Sequence, residues 1–512
     1  MSKMNYGPML NAYPDSINGT LSGAVDFLQR PEVKGAFTSF YILPSMFNTD
    51  LDRGFSVIDY GINGVTAKPE DLESLQKMGI DLKLDFILNH LSVQSPQFQD
   101  LLKNGNASEY KDFFLDWNAF WQGRGTMTSE GYIQPDEELI KDMFFRKPGL
   151  PILMVEFADG TRKPYWNTFY QQIDVDEQGN KHYLGQMDLN IKSPLVLDFY
   201  RRTLETLSEY GAKIVRLDAF AYAPKEPGAR NFLNDPGTWD FLRQITGMAE
   251  PYGVALLPEI HASYEEGTYR TIAGKGYMVY DFFLPGLILD AFEQKSAETL
   301  AKWANEIIAS KMRTVNMLGC HDGIPLLDLK GLLPEDRIQS LIGTLVKRGG
   351  FVKDLHGAKN VYYQVNATYY SALGEDDRRM LLARAVQLFM PGKPQVWYLD
   401  LFNGRNDYGA MEAAGAGGHK EINRTNLSGG AVEEALRNPA VQKQLELLKL
   451  RAECPAFSPE AQITVRTQGS RLTICWQYAG QRAELDADLG EVSFSITVTD
   501  ADSHVVLRSL QF

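Results

Sequence analysis

GAKIVRLDAF, residues 211–220, is a short apolar run that breaks off into polar side chains. A helical pattern leads into it. Ser193 is placed to cap, Pro194 suits a first helical position, apolar residues recur at Leu197, Leu204 and Leu207, and Gly211 stops the pattern. The same unit recurs along the chain. Runs of this kind are MLNAY (9–13), AFTSFYILP (36–44), IDLKLDFILNH (80–90), GVALLPEIH (253–261), YMVYDF (277–282), TVNMLGCHD (314–322) and PQVWYLD (394–400). With residues 212–220 they make eight buried strands alternating with helices, which predicts an α/β chain closed into a parallel (β/α)8 TIM barrel.

Two connections are too long for loops between a strand and its helix. Residues 91–190, rich in Trp, Phe, Tyr, Gly and Pro, are expected to form an inserted domain after the third strand, and 323–375 a smaller inserted subdomain after the seventh. The barrel itself then takes 1–90, 191–322 and 376–454. In 455–512 the alternating segments ITVRT, LTICWQY and VSFSITVTD predict a C-terminal antiparallel β domain.

The 512 residues are 44% hydrophobic and 23% charged, the balance of a folded globular chain. Lys plus Arg number 51 against 65 Asp plus Glu, a net charge of −14. That sign argues against nucleic acid as a partner and requires any bound phosphate to be held by a local cluster of cations. Cys320, Cys454 and Cys475 form no CxxC pair, so free thiols are expected. No HExxH, acidic calcium loop or glycine-rich nucleotide loop occurs, and neither a metal nor a cofactor is expected. The start, MSKMNYGPMLNAYPDS, lacks a signal-type apolar stretch, and no run approaches membrane-spanning length. No membrane association and a cytoplasmic location are the expectation.

In such a barrel the polar side chains at the carboxyl ends of strands face one cavity. They are His90, Arg216 with Asp218, Glu259 with His261, and His321 with Asp322. Three carboxylates from the fourth, fifth and seventh strands therefore converge. Breaking a glycosidic bond needs one carboxyl group to protonate the departing oxygen and another to act at the anomeric carbon. Asp218 suits the nucleophile, since Arg216 two residues away should lower its pKa, and Glu259 suits the acid/base if nearby negative charge raises its own.

DFILNH (85–90), IVRLDAF (214–220), LLPEIH (256–261), LGCHDG (318–323) and the weaker MDLN (187–190) resemble the motifs of the α-amylase superfamily, glycoside hydrolase family 13. Longer stretches, among them LPSMFNTDLDRGFSVIDY (43–60), RLDAFAYAPKE (216–226), YYQVNATYYSALG (362–374) and EINR (421–424), are similar to its sucrose phosphorylase branch over most of the barrel and both insertions. The resemblance implies a retaining mechanism through a β-glucosyl-enzyme, with Asp218 as nucleophile, Glu259 as acid/base and Asp322 as transition-state stabiliser. It also implies a glucose site of Asp52, Phe55, His90, Phe169, Arg216, Tyr222, His261, His321, Gln364 and Arg424. Inorganic phosphate would be the co-substrate, resolving the intermediate to α-glucose 1-phosphate. Its candidate ligands are Arg146 or Lys147 in MFFRKPGLP, Tyr363 and again Arg424.

The expected reaction is sucrose plus phosphate to α-glucose 1-phosphate plus fructose. Departures keep alternatives open. Where the branch reads Leu-Asp-x-Tyr-Gln, this chain has Asn360-Val361-Tyr362-Tyr363-Gln364, which removes an acid that contacts fructose, and Thr425-Asn426-Leu427 replaces the usual His and aromatics after EINR. QQIDVDEQGNKHYLGQ (171–186) is predicted to be an extra hairpin turning at Gly179 and Asn180, placed to line the acceptor side. The alternatives are phosphorolysis of glucosylglycerol, glucosylglycerate or sucrose 6′-phosphate, plain hydrolysis of an α-glucoside, and a binding subunit without catalysis. The last is disfavoured by the three filled carboxylate positions.

Overall fold

A computed structural model describes residues 5–179, 181–354, 362–415, 418–500 and 505–508. Eight parallel strands form its centre: β1 Met9–Ala12, β2 Ser39–Ile42, β3 Asp81–Ile87, β4 Ala212–Asp218, β5 Ala255–Pro258, β6 Val279–Asp281, β7 Thr314–Asn316 and β8 Lys393–Trp397. Their order in the sheet is β5-β4-β3-β2-β1-β8-β7-β6, every bonded pair is parallel, and the edge strands β5 and β6 lie against each other, so the barrel is nearly closed. Seven fall within the runs read from the sequence, and β8 begins one residue before its run. A strand covered on both faces has no solvent side to be polar on, which is why most of these segments are largely apolar, although β3 alternates Lys83 and Asp85 with Leu82, Leu84 and Phe86.

The inside of the barrel is nonetheless polar. Lys83 and Asp85 on β3 turn inward, the ammonium donating to Gln395 Oε1 at 2.6 Å and to the Tyr280 hydroxyl, and lying 3.8 Å from the centre of the Tyr41 ring. Tyr41 in turn donates to Asp85 at 3.1 Å. This hydrogen-bonded floor carries the functional end of the barrel.

The helix Pro194–Glu209 feeds β4 as its sequence suggests, with Pro194 in the first turn and Gly211 at φ 96° after it. Ser193 holds the cap position in extended geometry, but its side chain makes no capping bond.

After β3 come the hairpins Gly125–Met127 with Ile133–Pro135 and Ile152–Glu156 with Arg162–Trp166, and a sheet joining His90–Ser92, Gln171–Val175 and Lys181–Asp188. This insertion has its own apolar core of Trp117, Trp121, Ile133 and Trp166. It is tied to the barrel by buried Asp188 of the MDLN segment, which pairs with Lys225 at 2.7 Å and accepts from the Thr168 amide at 2.8 Å. The predicted hairpin exists, with Val175 opposite Lys181 and Gly179 at φ 83°, while Asn180 lies outside the described residues.

After β7, Ile324–Pro325, Phe351–Asp354 and Tyr362–Asn366 form an antiparallel sheet beside the helix Glu335–Lys347. Asn360 and Val361 lie outside the described residues. The C-terminal sheet holds Gln462–Gln468, Arg471–Tyr478, Gln481–Asp488, Ser493–Thr499 and Val505–Arg508 in sequence order. It docks through Trp476, whose indole donates to the Phe389 carbonyl at 2.7 Å. Among the described residues, no helix is long and apolar enough to cross a membrane.

Candidate active site

Asp218 is the last residue of β4, and Ala219 after it takes a left-handed φ of 52°. That conformation is costly for a side chain with a Cβ, and here it turns the chain sharply away so that Asp218 is left facing the cavity. Glu259 follows the end of β5 directly. Arg216, almost fully buried, links them: one guanidinium nitrogen bonds Asp85 and lies 2.9 Å from Asp218 Oδ1, the other 2.6 Å from Glu259 Oε2. One fixed cation thus holds three carboxylates in place without rotational freedom.

Two acids sharing a buried cation do not ionise independently. Burial, opposed by Arg216 and reinforced by the charge of Glu259, pushes Asp218 up to about 8. Burial acts the same way on Glu259, yet Arg216 and His261 outweigh it and hold Glu259 below the usual carboxylate range. This reverses the sequence expectation. Arg216 does attract Asp218, but it also sits closer to Glu259, and of the two acids it is Glu259 that has the second cation, His261, beside it at 3.7 Å. The pair therefore keeps one proton near neutral pH, on the Asp218 side.

Asp322 lies six residues beyond the end of β7, in a loop. Burial would raise it, but His321, Lys420 and Arg424 hold it well below the usual range. Lys420 Nζ is 2.5 Å from its Oδ1, Arg424 is 3.7 Å away, and His321 Nε2 is 3.3 Å from Oδ2. The next residue has to be glycine: Gly323 has φ 105°, and a Cβ there would lie 2.4 Å from the Val365 carbonyl oxygen. Gln364 and Asn366 clamp the loop by donating to the Asp322 carbonyl at 2.6 and 2.8 Å.

These groups open onto a cavity of about 480 Å³. Phe55 stacks on His321 with ring centres 5.0 Å apart, and Phe169 lies against His90 at 5.0 Å and Tyr222 at 5.3 Å. Aromatic faces beside carboxylates and imidazoles suit a sugar ring, which is apolar on its C–H faces and polar at its rim. Asp52 reaches the cavity from a turn in which it and Arg53 both take φ 49°.

Of the residues singled out in the sequence, Asp52, Phe55, His90, Arg146, Phe169, Arg216, Asp218, Tyr222, Glu259, His261, His321, Asp322, Tyr363 and Gln364 line this cavity. Lys147 and Arg424 do not. The Lys147 ammonium turns to Asn167, because alternate residues of that segment face opposite ways and Arg146 takes the inward one. Arg424 stands behind Asp322 with its Nε donating to the His321 carbonyl at 2.9 Å, and Lys420 occupies the forward place. The extra hairpin contributes only its base, through Gln186, which donates to the Phe55 carbonyl at 3.1 Å. Gln171–Val175 is exposed throughout.

Lys353 and Lys420 were not foreseen as part of the wall. Burial, then repulsion from Lys420 and Arg146 against the attraction of Asp322 and Asp52, brings Lys353 down to about 8, so three cations lie close enough in the cavity wall to act on one another. Lys420 is neutralised by Asp322. Arg146 donates to the Tyr222 hydroxyl at 3.1 Å, and neither it nor Lys353 has an ion-pair partner among the described residues. Among those residues there is also no group of three or more His, Cys, Asp or Glu that could hold a metal ion.

Residues 15–324 match the family model "Alpha amylase, catalytic domain". The chain is 55% identical to a sucrose 6(F)-phosphate phosphorylase of Ilumatobacter coccineus, over 96% of this chain and 95% of that protein. It is 32% identical to a sucrose phosphorylase of Streptococcus mutans, over 96% and 97%. Among solved structures it is similar to sucrose 6F-phosphate phosphorylase from Thermoanaerobacter thermosaccharolyticum, with a TM-score of 0.87, 32% identity and coverage of 98% of this chain and 97% of that one.

Proposed function

The chain belongs to the α-amylase superfamily, in its branch of sucrose and sucrose 6F-phosphate phosphorylases, and from that premise we propose that it phosphorolyses sucrose 6F-phosphate to α-glucose 1-phosphate and fructose 6-phosphate. The sequence put sucrose first and its 6′-phosphate among the alternatives. The order is now exchanged.

Asp218 attacks the anomeric carbon of the glucosyl unit while the bond to the fructosyl oxygen breaks. Glu259 gives that oxygen its proton. Phosphate then attacks the same carbon from the opposite face, the bond to Asp218 breaks, and a phosphate proton returns to Glu259. Two inversions give net retention. The proton held by the acid pair has to be on Glu259 when the first step begins. Positive charge developing at the anomeric carbon beside Asp218 favours the ionised form there and so stabilises the transition state reached from that arrangement. Asp322, kept anionic by Lys420 and Arg424, stabilises the same charge. The ten positions named for glucose bind its hydroxyls and faces, with Arg424 acting through Asp322 and His321.

The observation that carries the choice of substrate is the cation cluster. The reaction needs one anionic site for the attacking phosphate, and a phosphorylated leaving group needs a second. Arg146 and Lys353 are two cations at the cavity without carboxylate partners among the described residues, in a chain of net charge −14. The deciding experiment compares kcat/KM for glucose 1-phosphate formation from sucrose 6F-phosphate and from sucrose at one phosphate concentration. A preference of at least about tenfold for the ester is expected from one charge-assisted contact. Equal values, or a preference for sucrose, would return the assignment to the unphosphorylated sugar.

A further inference from the structure

His261 is unlike the other two histidines of the cavity. Burial takes His321 down to about 3 and also lowers His90, so both stay neutral. Burial works against charge on His261 as well, yet Asp328 and Glu259 raise it to about 10. The cause is visible in the packing. Asp328 sits in the turn Leu327–Leu329, six residues past Asp322, with its side chain 2% exposed. Its Oδ2 is 3.2 Å from His261 Nδ1. The imidazole stacks on Phe282 with centres 3.9 Å apart and meets the Tyr363 ring edge-on at 5.2 Å. Its other nitrogen, Nε2, is 3.7 Å from Glu259 Oε1 and faces the cavity.

The second half-reaction has an electrostatic difficulty. Glu259 has given up its proton, and the incoming phosphate, itself an anion, must approach on the side where Glu259 stands. A neutral water molecule meets no such repulsion. We propose that Asp328 is a positioning residue that fixes His261 as a permanent cation beside Glu259, so that phosphate rather than water resolves the glucosyl-enzyme. The inference rests on the phosphorolytic reading above. Among the described residues, the charged or titratable groups packed on the imidazole fit it: Asp328 behind, Glu259 in front with Arg216 beyond, and Tyr363 at the edge, which has Arg146 on its far side. Asp328 touches neither the cavity centre nor the acid pair, so its effect passes through His261.

Asp328→Asn keeps the size and removes the charge. With saturating sugar donor, glucose 1-phosphate and free glucose are measured from about pH 6 to about pH 9. An imidazole without its carboxylate titrates near its ordinary value of about 6.5. The expected result is a KM for phosphate raised about tenfold at the alkaline end, a ratio of glucose 1-phosphate to glucose lowered by about the same factor, and near-normal values at the acid end. The kcat/KM for the sugar donor, which reports the first half-reaction, should stay within about threefold at the acid end and should not fall below that of the wild type at the alkaline end, where loss of the cation favours the proton on Glu259 that this step needs. Equal loss in both half-reactions at every pH is the signature of a merely structural residue and overturns the proposal, as does an unchanged product ratio. If Asp328→Asn does not fold, Asp328→Glu is read instead: retained charge predicts a product ratio independent of pH, and a ratio that titrates near neutrality overturns it. A wild-type enzyme that releases only glucose, with or without phosphate, sinks both this inference and the phosphorolytic reading. A phosphorolytic wild type with an indifferent Asp328→Asn sinks this inference alone.

Discussion

At the floor of the cavity, Arg216 is shared among Asp85, Asp218 and Glu259, and Asp322 is shared among Lys420, Arg424 and His321. At its rim, Arg146 and Lys353 lack any ion-pair partner among the described residues, and Lys353 is depressed by burial and by the cations beside it. The floor is built on strand ends and the loops that leave them, while Arg146 and Lys353 come from the two insertions. Charges that are already paired need no reorganisation when a bond breaks, which is what a transition state requires. Unpaired cations hold binding energy in reserve for an anion that arrives. The two regions therefore divide chemistry from substrate choice, and substitutions should separate them.

The largest effect is expected at the floor. Asp218→Asn keeps the shape and removes the nucleophile, and kcat/KM should fall by at least about 10⁴-fold for sucrose and its 6F-phosphate alike. Stability should move the other way. A carboxyl group raised to about 8 binds its proton more tightly in the folded state than in the unfolded chain, where it titrates near 4. Its contribution is favourable below about pH 4 and is lost as the pH climbs to 8, so by neutrality the fold has forfeited most of it. Removing the acid removes that loss. Thermal unfolding near pH 7 should show Asp218→Asn at least as stable as the wild type, and a lower Tm would contradict the assigned proton position.

The rim should respond selectively. Lys353→Ala is expected to lower kcat/KM for sucrose 6F-phosphate by about 10- to 100-fold, the range of a lost charge-assisted contact, while that for sucrose changes by less than about threefold. Arg146→Ala should behave alike unless it serves the attacking phosphate, in which case the KM for phosphate rises with both sugars. Parallel losses with both donors for Lys353→Ala would mean that the rim belongs to the catalytic floor after all.

A pH profile probes the floor without any substitution. Below about pH 8 the acid pair retains one proton; above it both carboxylates are ionised and nothing remains to protonate the leaving oxygen. The kcat/KM for the sugar donor should therefore fall about tenfold per pH unit above about 8, and a profile flat to pH 10 would refute the shared proton.

How far the two regions could be read in the sequence differs for the same reason. The floor residues Arg216, Asp218 and Glu259 sit at the ends of strands whose burial on both faces makes them largely apolar, so they stand out against their own neighbours. Asp328, Lys353 and Lys420 have no such background. Asp328 and Lys353 are brought in by the path of the second insertion and Lys420 by the long connection after β8, where it is signalled only by standing immediately before the matched EINR motif. The strand Gln481–Asp488 has a weak sequence signal because its buried face is Ala483, Leu485 and Ala487, and two alanines do not register against the acids between them. The protonation of Asp218 was misjudged because the sequence places Arg216 beside it and says nothing of Glu259 and His261 on the other side.

The smallest effect should come from the hairpin that the sequence marked as an acceptor element. Ile173 and Val175 are 43% and 62% exposed, and the cavity takes only Gln186 from this sheet's second strand. Replacing either with Thr keeps a β-branched side chain on an exposed strand, so stability should change by no more than about 0.5 kcal/mol. With no cavity atom removed, kcat/KM for either donor should stay within about twofold. A tenfold shift in the ratio of the two donors, read from the same assay as Lys353→Ala, would show that the strand folds over the acceptor during turnover and would extend the rim to include it.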